Sequence, residues 1–348
     1  MWGPPSWWLL PCALVIWWWR RYSAAAVREF LELLDGWDGE IKEALAYVDA
    51  AVARARIAKD FPLEVDVVCS GGGFKVLYAA GALMLLRRYG VVTRRVAGAS
   101  AGSLLGFMHW SNGLVDGLRW SFSFGEMLLR RPLAHPGPYW ELFFRRQCLR
   151  LRALPRPGDL TVSLTRVKRY LPPRGANERV SAFESREDLF TTLMASGSVP
   201  LITCALLGRR HRGARAIDGG VTDNAPLFVP RAGDGDDDDD DAPPQLVLRY
   251  KTLEARWQGR VAGVVFSPRE MLEVFKAGVD DAAAFLAVEG HLDGGGGGDA
   301  RPFAGRLELI RPVVARKRGV DRPEVGFSTL LSLAARTYSM DGLSSLTT

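Results

Sequence analysis

Two short apolar strands, each followed by a glycine-rich turn and an apolar helix, constrain the fold of this chain most strongly. The predicted segments are a strand at Val65–Cys69, a helix from Val76 to Tyr89, a strand at Arg95–Ala97 and a helix ending near Trp110. Gly90 is predicted to cap the first helix, because glycine tolerates the left-handed backbone that ends many helices. This alternation predicts an α/β fold with a parallel sheet covered by helices.

The second turn has the pattern G-x-S-x-G, which places a serine where a strand turns sharply into a helix. Its residues are Gly98, Ala99, Ser100, Ala101 and Gly102. A serine on such a turn is exposed for nucleophilic attack, and the glycines at both ends remove clashes that side chains would cause. The pattern also occurs by chance in glycine-rich chains, so the flanking strand and helix carry the prediction that Ser100 is the nucleophile.

The first turn, Gly71–Gly73 with Lys75 close behind it, also joins a strand to a helix. Successive glycine amides at a helix N-terminus direct positive partial charge outwards, which suits a developing oxyanion. A phosphate-binding loop and a plain tight turn are the alternatives, although the spacing fits neither the dinucleotide-binding fingerprint nor the P-loop. Its place one helix before a serine turn makes this loop a functional candidate.

An aspartate followed by two glycines, Asp218, Gly219 and Gly220, ends a predicted strand at Ala214–Ile217. Asp-Gly is common in ordinary turns, which is the alternative interpretation. A serine nucleophile needs a base, however, and an aspartate at the end of a neighbouring strand can reach its hydroxyl directly. The combination favours Asp218 as the base for Ser100.

Histidine is the usual partner of a nucleophilic serine, and the chain has four histidines. His109 is predicted to lie on the helix after the serine turn, and His135 and His211 are predicted to lie in basic or proline-rich loops. His291 is the rival base, because Ser100, Asp218 and His291 follow the chain order of α/β-hydrolase triads. It borders the glycine tract Gly294–Gly298, where its position would be poorly held, and catalysis requires preorganisation. The sequence therefore favours Asp218 alone over the triad.

Together these residues resemble the patatin-like phospholipase family, in the branch that includes adiponutrin-type lipid hydrolases. The resemblance covers roughly Val65 to Leu227, and its motifs in chain order are Gly71–Lys75, Gly98–Gly102, Ala195–Pro200 and Asp218–Pro226. It implies a three-layer α/β/α domain with Ser100 and Asp218 as a catalytic dyad. It also implies an oxyanion hole formed by the amides of Gly71, Gly72 and Gly73.

The same resemblance implies hydrolysis of carboxylic esters in phospholipids, galactolipids or neutral glycerides through a serine acyl-enzyme, with no metal and no cofactor. The family usually places a further glycine after the basic residue of its first loop, where this chain has Val76. That departure bears on oxyanion stabilisation more than on the fold. Two alternatives stay open: a lipid-surface binding or scaffold protein that turns over little, and a lipid transacylase.

The N-terminus predicts contact with a membrane. Seven of the eleven tryptophans lie in the first 37 residues, and the thirteen residues from Trp7 to Trp19 carry no charge. A spanning helix needs about 20 residues, so this run, followed by Arg20 and Arg21, suits a segment lying in the membrane interface. A secretory signal peptide is the alternative, but no basic residue precedes the apolar run. We expect residues 1–22 to anchor the chain to an intracellular membrane or lipid-droplet surface.

The remaining chain is predicted to comprise a helical lead-in at 23–61 and one hydrolase domain at 62–348, with its motifs within 65–230. The region Arg130–Pro173 is basic, proline-punctuated and aromatic, and we expect an insertion beside the sheet. It forms either a surface loop with one amphipathic helix or a lid that contacts lipid. Further elements are predicted as a strand at Gln245–Thr252 and a helix at Ser267–Leu286.

The formal net charge is +6, although the chain contains an acidic run at Asp236–Asp241. A basic surface attracts nucleic acid or anionic lipid headgroups. The sequence has no zinc-finger, basic-zipper or RNA-recognition pattern, so a lipid surface is favoured over nucleic acid as the partner. The four cysteines show no short pair spacing, and Cys69 and Cys204 are predicted to be buried thiols rather than metal ligands or disulfides.

Overall fold

A sheet of nine strands organises the part of the chain that the computed structural model describes. That part comprises residues 25, 27–54, 63–131, 137–170, 173–199, 203–204, 208–228, 243–249, 267–288, 307–310 and 325–326. The strands are β1 (Glu64–Cys69), β2 (Val92–Ala99), β3 (Leu160–Tyr170), β4 (Pro173–Val180), β5 (Arg209–His211), β6 (Ala214–Asp218), β7 (Gln245–Leu248), β8 (Leu307–Ile310) and β9 (Val325–Gly326). The helices are α1 (Asp38–Arg54), α2 (Val76–Arg88), α3 (Ala101–Trp110), α4 (Leu114–Arg130), α5 (Gly137–Arg150), α6 (Arg186–Ser196) and α7 (Pro268–Val288).

The strands follow the spatial order β5-β6-β3-β2-β1-β7-β8, and β4 pairs with both β3 and β9. The four central strands β3, β2, β1 and β7 run parallel to one another, whereas β4, β6 and β8 run antiparallel to their neighbours. The predicted α/β fold is confirmed, but the sheet is mixed rather than parallel throughout. Short connections such as the one between β5 and β6 impose antiparallel pairing, because a parallel crossover needs a dozen or more residues.

Both faces of the central strands are buried, as expected for parallel strands in an α/β protein. On β1, Val65, Val67 and Cys69 belong to the large core that packs the helices against one face of the sheet. Val68, which points to the other face, belongs to a smaller cluster. Leu227, from the segment that follows β6, joins that smaller cluster.

The elements predicted around the two glycine-rich turns are confirmed. Strand β1 and helices α2 and α3 lie where the sequence pattern places them, and Gly90 has the positive φ of 82° expected after α2. Strand β2 begins three residues earlier than predicted, at Val92. Helix α7 confirms the predicted helix at Ser267–Leu286, and the buried free thiols of Cys69 and Cys204 are also as predicted.

The prediction that Arg130–Pro173 is an insertion beside the sheet is wrong for its second half. Residues 137–150 form the expected amphipathic helix α5, but Leu160–Tyr170 forms β3, which pairs with β2, β4 and β6. The strand was not predicted because the apolar alternation of Leu160, Val162 and Leu164 is short and basic residues follow it. These three side chains are nevertheless buried at the centre of the sheet.

Several predicted features lie outside the described residues. These are the membrane-anchoring segment 1–22, the acidic run, His135, His291 and the glycine tract at 294–298. Within the described ranges, none of the helices combines the length and the apolarity that crossing a bilayer requires.

Helix α7 packs directly on α2 through two glycines. A methyl group at Gly278 would clash with the backbone carbonyl of Tyr78, and one at Gly81 would clash with that of Phe275. The Tyr78 hydroxyl also donates a hydrogen bond of 2.8 Å to the buried Asp281 carboxylate. The backbones of the two helices are therefore in contact, and only glycine fits at the crossing.

Substituting Gly278→Ala should lower the free energy of unfolding, because one inserted methyl group forces the two backbones apart. We expect a loss of about 1–3 kcal/mol, measured by urea denaturation. Gly39→Ala in α1 is the matched control, since a methyl group there meets nothing within 4 Å. Equal stability of the two variants would contradict the close helix crossing.

Candidate active site

Ser100 occupies the sharp turn between β2 and α3. Its backbone adopts φ 53° and ψ −133°, a combination that is strained for a residue with a side chain. A methyl group at Gly98 would come within 2.5 Å of the Gly102 carbonyl oxygen, and one at Gly102 would clash with backbone atoms of Ser70. The two glycines therefore permit the turn that presents the Ser100 side chain, as the G-x-S-x-G pattern predicts.

The Ser100 hydroxyl donates a hydrogen bond of 2.6 Å to Oδ2 of Asp218. Strands β2 and β6 are not neighbours, because β3 lies between them and pairs with both. Ala99 is in register with Ser163 on β3, and the next residue of β3, Leu164, is in register with Asp218. The sequence anticipated an adjacent strand, whereas the structure brings the two side chains together across β3.

The Asp218 carboxyl group is 3% exposed. Burial raises its pKa to about 6, although hydrogen bonds from the Ser100 hydroxyl and the Gly220 amide act in the opposite direction. The Gly220 amide contacts Oδ1 at 2.8 Å, which leaves Oδ2 facing Ser100. A carboxyl group with a pKa near neutrality can accept a proton and later return it.

Ser196 positions the backbone of the nucleophile. Its hydroxyl accepts a hydrogen bond of 3.0 Å from the Ser100 amide and donates one of 2.6 Å to the Ser163 carbonyl. The chain of contacts ties the serine turn to β3 through the last residue of α6. Ser196 lies in the Ala195–Pro200 segment of the family resemblance, but its sequence pattern alone does not predict this role.

The glycine loop lies directly against Ser100, since a methyl group at Gly71 would come within 2.6 Å of the Ser100 Cβ. The Gly71 amide donates to Oδ1 of Asn224 at 3.0 Å, and the Asn224 side-chain amide donates back to the Gly71 carbonyl at 3.2 Å. Asn224 thus pins the loop to the segment after β6. For the Gly72 and Gly73 amides, the described residues supply no such acceptor.

Lys75 follows the glycine loop in the chain, and Gly219 follows Asp218. Lys75 ends the short 3-10 turn Gly73–Lys75 and is half-buried, and this burial lowers its pKa. A methyl group at Gly219 would clash with the Ser163 carbonyl, so the turn after Asp218 packs tightly on β3.

The two histidines that the structure describes lie in structural positions. His211 was expected in a basic loop but belongs to β5, where it is buried and its Nε2 lies 2.8 Å from the Thr192 hydroxyl. His109 on α3 is buried too, with Nε2 2.8 Å from the Thr93 hydroxyl. Burial lowers the pKa of His109 to about 4 and also lowers that of His211, so both imidazoles are neutral at pH 7.

Comparison with known proteins identifies relatives of this chain. Residues 67–230 match the profile of the family described as Patatin-like phospholipase. Human Patatin-like phospholipase domain-containing protein 2 is 27% identical over 67% of this chain and 51% of its own length. Human Patatin-like phospholipase domain-containing protein 4 is 27% identical over 65% of this chain and 98% of its own length. Human Omega-hydroxyceramide transacylase is 32% identical over 45% of this chain and 30% of its own length.

The chain therefore spans nearly all of one of these relatives, about half of another and less than a third of the transacylase. The matched region contains Ser100, Asp218 and Asn224.

Asp218→Asn should stabilise the protein at neutral pH, because it removes a buried charge. The pKa of Asp218 is higher in the folded state than its ordinary value of 3.8. Protonated Asp218 therefore stabilises the folded state fully below pH 3.8, and this stabilisation is lost as the pH rises through about 6. We expect the variant to gain about 1–3 kcal/mol in unfolding free energy at pH 8, and the gain to vanish near pH 4.

Asp188→Asn is the matched control, because Arg212 lowers the pKa of Asp188 and the expected change at pH 8 has the opposite sign. Denaturant unfolding of both variants at pH 8 and pH 4 measures the difference. Destabilisation of Asp218→Asn at pH 8 would contradict the raised pKa of the buried Asp218 carboxyl group.

Proposed function

Residues 67–230 form a patatin-like phospholipase domain, and from this premise we propose that the chain is a lipid acyl hydrolase with Ser100 as nucleophile and Asp218 as base. The observation that carries the proposal is the 2.6 Å hydrogen bond from the Ser100 hydroxyl to the buried Asp218 carboxylate. The strained backbone at Ser100 supports it, because strain of this kind persists where it serves a function.

In the first step, Ser100 Oγ attacks the ester carbonyl carbon while Asp218 Oδ2 accepts the hydroxyl proton. The carbonyl oxygen then carries negative charge until the ester bond breaks and the alcohol leaves with the proton from Asp218. The amides of Gly72 and Gly73, for which the described residues supply no acceptor, and the N-terminus of α3 are available to stabilise that oxygen. The Gly71 amide, which the sequence predicts as a third oxyanion donor, already donates its hydrogen bond to Oδ1 of Asn224, so in this scheme it holds the loop in place.

In the second step, water attacks the acyl-enzyme and Asp218 accepts a proton from it. Collapse of the intermediate returns that proton to Ser100 Oγ and releases the carboxylic acid. A single carboxylate suffices for both transfers if its pKa lies close to the working pH, and burial raises the pKa of Asp218 towards that range.

We further propose that the protein acts at a membrane or lipid-droplet surface, with residues 1–22 as the anchor and residues 62–348 as the catalytic domain. The tryptophan-rich uncharged run and the net charge of +6 support attraction to an anionic lipid surface. Exposed leucines on α4 and α5, including Leu129, Leu142 and Leu149, lie among arginines and suit the same surface.

Transacylation is the second candidate, favoured by the 32% identity to human Omega-hydroxyceramide transacylase. The acyl-enzyme would be the same, and a lipid hydroxyl would replace water in the second step. Product analysis with and without an acceptor alcohol separates the two, because transfer consumes acyl donor without releasing an equal amount of free acid.

A fluorophosphonate probe should label the wild-type chain, because such probes react only with an activated serine. Ser100→Ala should abolish labelling, and Asp218→Asn should slow it by about 100-fold or more, since a general base contributes at least that factor. His291→Ala should label like the wild type. Loss of labelling in the His291 variant would instead support the triad, and an unlabelled wild type would favour a lipid-binding scaffold.

Hydrolysis of a soluble ester should depend on pH through Asp218. Only the ionised carboxylate accepts the Ser100 proton, so kcat/KM should fall about tenfold per pH unit below the Asp218 pKa of about 6. Initial rates between pH 4 and pH 8 test this, with pH stability controlled by circular dichroism. A rate that is constant down to pH 4 would contradict Asp218 as the base.

A further inference from the structure

The segment from Asp218 to Phe228 carries the proposed base at its start and Asn224, which pins the glycine loop, in its middle. After the short 3-10 turn Gly219–Val221, its residues 222–228 form neither helix nor strand. A site built on such a segment is precise only where surrounding side chains hold the backbone. The position of Asn224 therefore depends on contacts with other parts of the chain.

The hairpin of β3 and β4 presents polar side chains to this segment. Alternate residues of a strand face the same side of a sheet, and on this side β3 carries Ser163 and Thr165 while β4 carries Asn177 and Arg179. Ser163 is in register with Arg179 on one edge of β3 and with Ala99 on β2. Arg179 is therefore level with the residue that precedes the proposed nucleophile.

Thr165 and Asn177 hold the first half of the segment. The Thr165 hydroxyl donates a hydrogen bond of 2.8 Å to the Asp218 carbonyl and lies 2.8 Å from the Thr222 hydroxyl. The Asn177 side-chain amide donates to the Thr222 hydroxyl at 3.2 Å and to the Ser163 hydroxyl at 2.7 Å. These contacts fix the backbone from Asp218 to Thr222 on the hairpin.

Arg179 holds the second half. Its Nε and Nη2 donate to Oδ2 of Asp223 at 3.1 and 3.0 Å, and its Nη1 donates to the Leu227 carbonyl. The side chains are largely shielded from water, with 23% of Arg179 and 7% of Asp223 exposed. Salt screens such a pair much less than a pair on the surface. One guanidinium therefore joins two points of the segment firmly to β4.

These two points lie on either side of Asn224, since Asp223 directly precedes it and Leu227 follows shortly after. The Gly71 amide donates to Oδ1 and to the backbone carbonyl of Asn224, at 3.0 and 3.2 Å, and the Asn224 side chain donates back at 3.2 Å. Gly71 in turn lies against Ser100. The contacts of the guanidinium thus extend, through Asn224, to the loop beside the proposed nucleophile.

We propose that Arg179 is a positioning residue for ester hydrolysis, because it holds Asn224 from both sides and so keeps the glycine loop against Ser100. The inference rests on the proposed function, in which amides of that loop stabilise the oxyanion. Arg179 acts through its contacts with Asp223 and Leu227 and not on the ester itself. The planar guanidinium binds a carboxylate and a carbonyl at once, whereas a lysine ammonium is a compact point charge.

Arg179→Lys should lower kcat for p-nitrophenyl butyrate about tenfold and change KM less than about twofold, because displaced oxyanion donors weaken binding of the transition state more than that of the substrate. Arg166→Lys is the matched control and should keep the wild-type kcat. Arg166 lies on the other face of the same hairpin and donates to the Glu178 carboxylate at 2.7 Å and the His211 carbonyl at 2.6 Å. Equal kcat in folded Arg179→Lys and the wild type, or equal losses in both variants, would overturn the proposal.

A double-mutant cycle with Asn224→Ala tests the route through which Arg179 acts. Once the Asn224 side chain is gone, adding Arg179→Lys should lower kcat by less than about twofold, because residues that act through one contact are not additive. Thermal unfolding establishes that each variant is folded. A further tenfold loss in the double variant, about as large as in the single one, would show that Arg179 acts by another route.

Hydrogen–deuterium exchange of the Gly71 amide separates this proposal from the proposed function, because it requires no activity. Arg179→Lys should raise the exchange rate about tenfold by loosening Asn224, and Arg166→Lys should leave it unchanged. If the wild type hydrolyses no ester, the proposed function fails, and unchanged exchange in Arg179→Lys would overturn the positioning role as well. Should Arg179→Lys not fold, Asp223→Asn, which removes the charge of the same ion pair, takes its place in both measurements.

Discussion

The hydrogen bond between the Ser100 hydroxyl and the buried Asp218 carboxylate is the contact that the rest of the site is arranged around. Its two partners come from strands that do not pair with each other, so β3, which pairs with both, sets their separation. A slip of β3 by one residue would move them apart by about 3.3 Å, and a hydrogen bond does not survive that shift. Ser196 reinforces the register by joining the Ser100 amide to β3.

Burial of the Asp218 carboxylate and the backbone strain at Ser100 oppose folding, and the surrounding packing offsets both. Burial raises the pKa of Asp218, and Ser100 holds a positive φ, so both groups reduce stability at neutral pH. The large helical core provides the compensation, including the close crossing of α2 and α7 at Gly278. Helix α7 lies beyond the motif-bearing region, yet it packs on the helix that follows the glycine loop.

The sequence predicts those parts of the site where one residue type is required by local geometry. The roles of Gly98 and Gly102 can be predicted from the sequence because a side chain at either position would clash in the turn. The position of β3 in the sheet cannot be predicted from the sequence, because its apolar alternation is short and a basic run follows it. The role of Asn224 depends on contact with Gly71, 153 residues earlier in the chain. A local sequence pattern cannot predict a contact between such distant residues.

The same geometry bears on the choice between hydrolysis and acyl transfer. Both proposed routes share an acyl-enzyme and the proposed base Asp218. The two histidines that the structure describes are buried and neutral at pH 7. The outcome then depends on which hydroxyl reaches the carbonyl first. We propose that the access of water or of an acceptor lipid to the acyl-enzyme, rather than the dyad itself, decides between the two reactions.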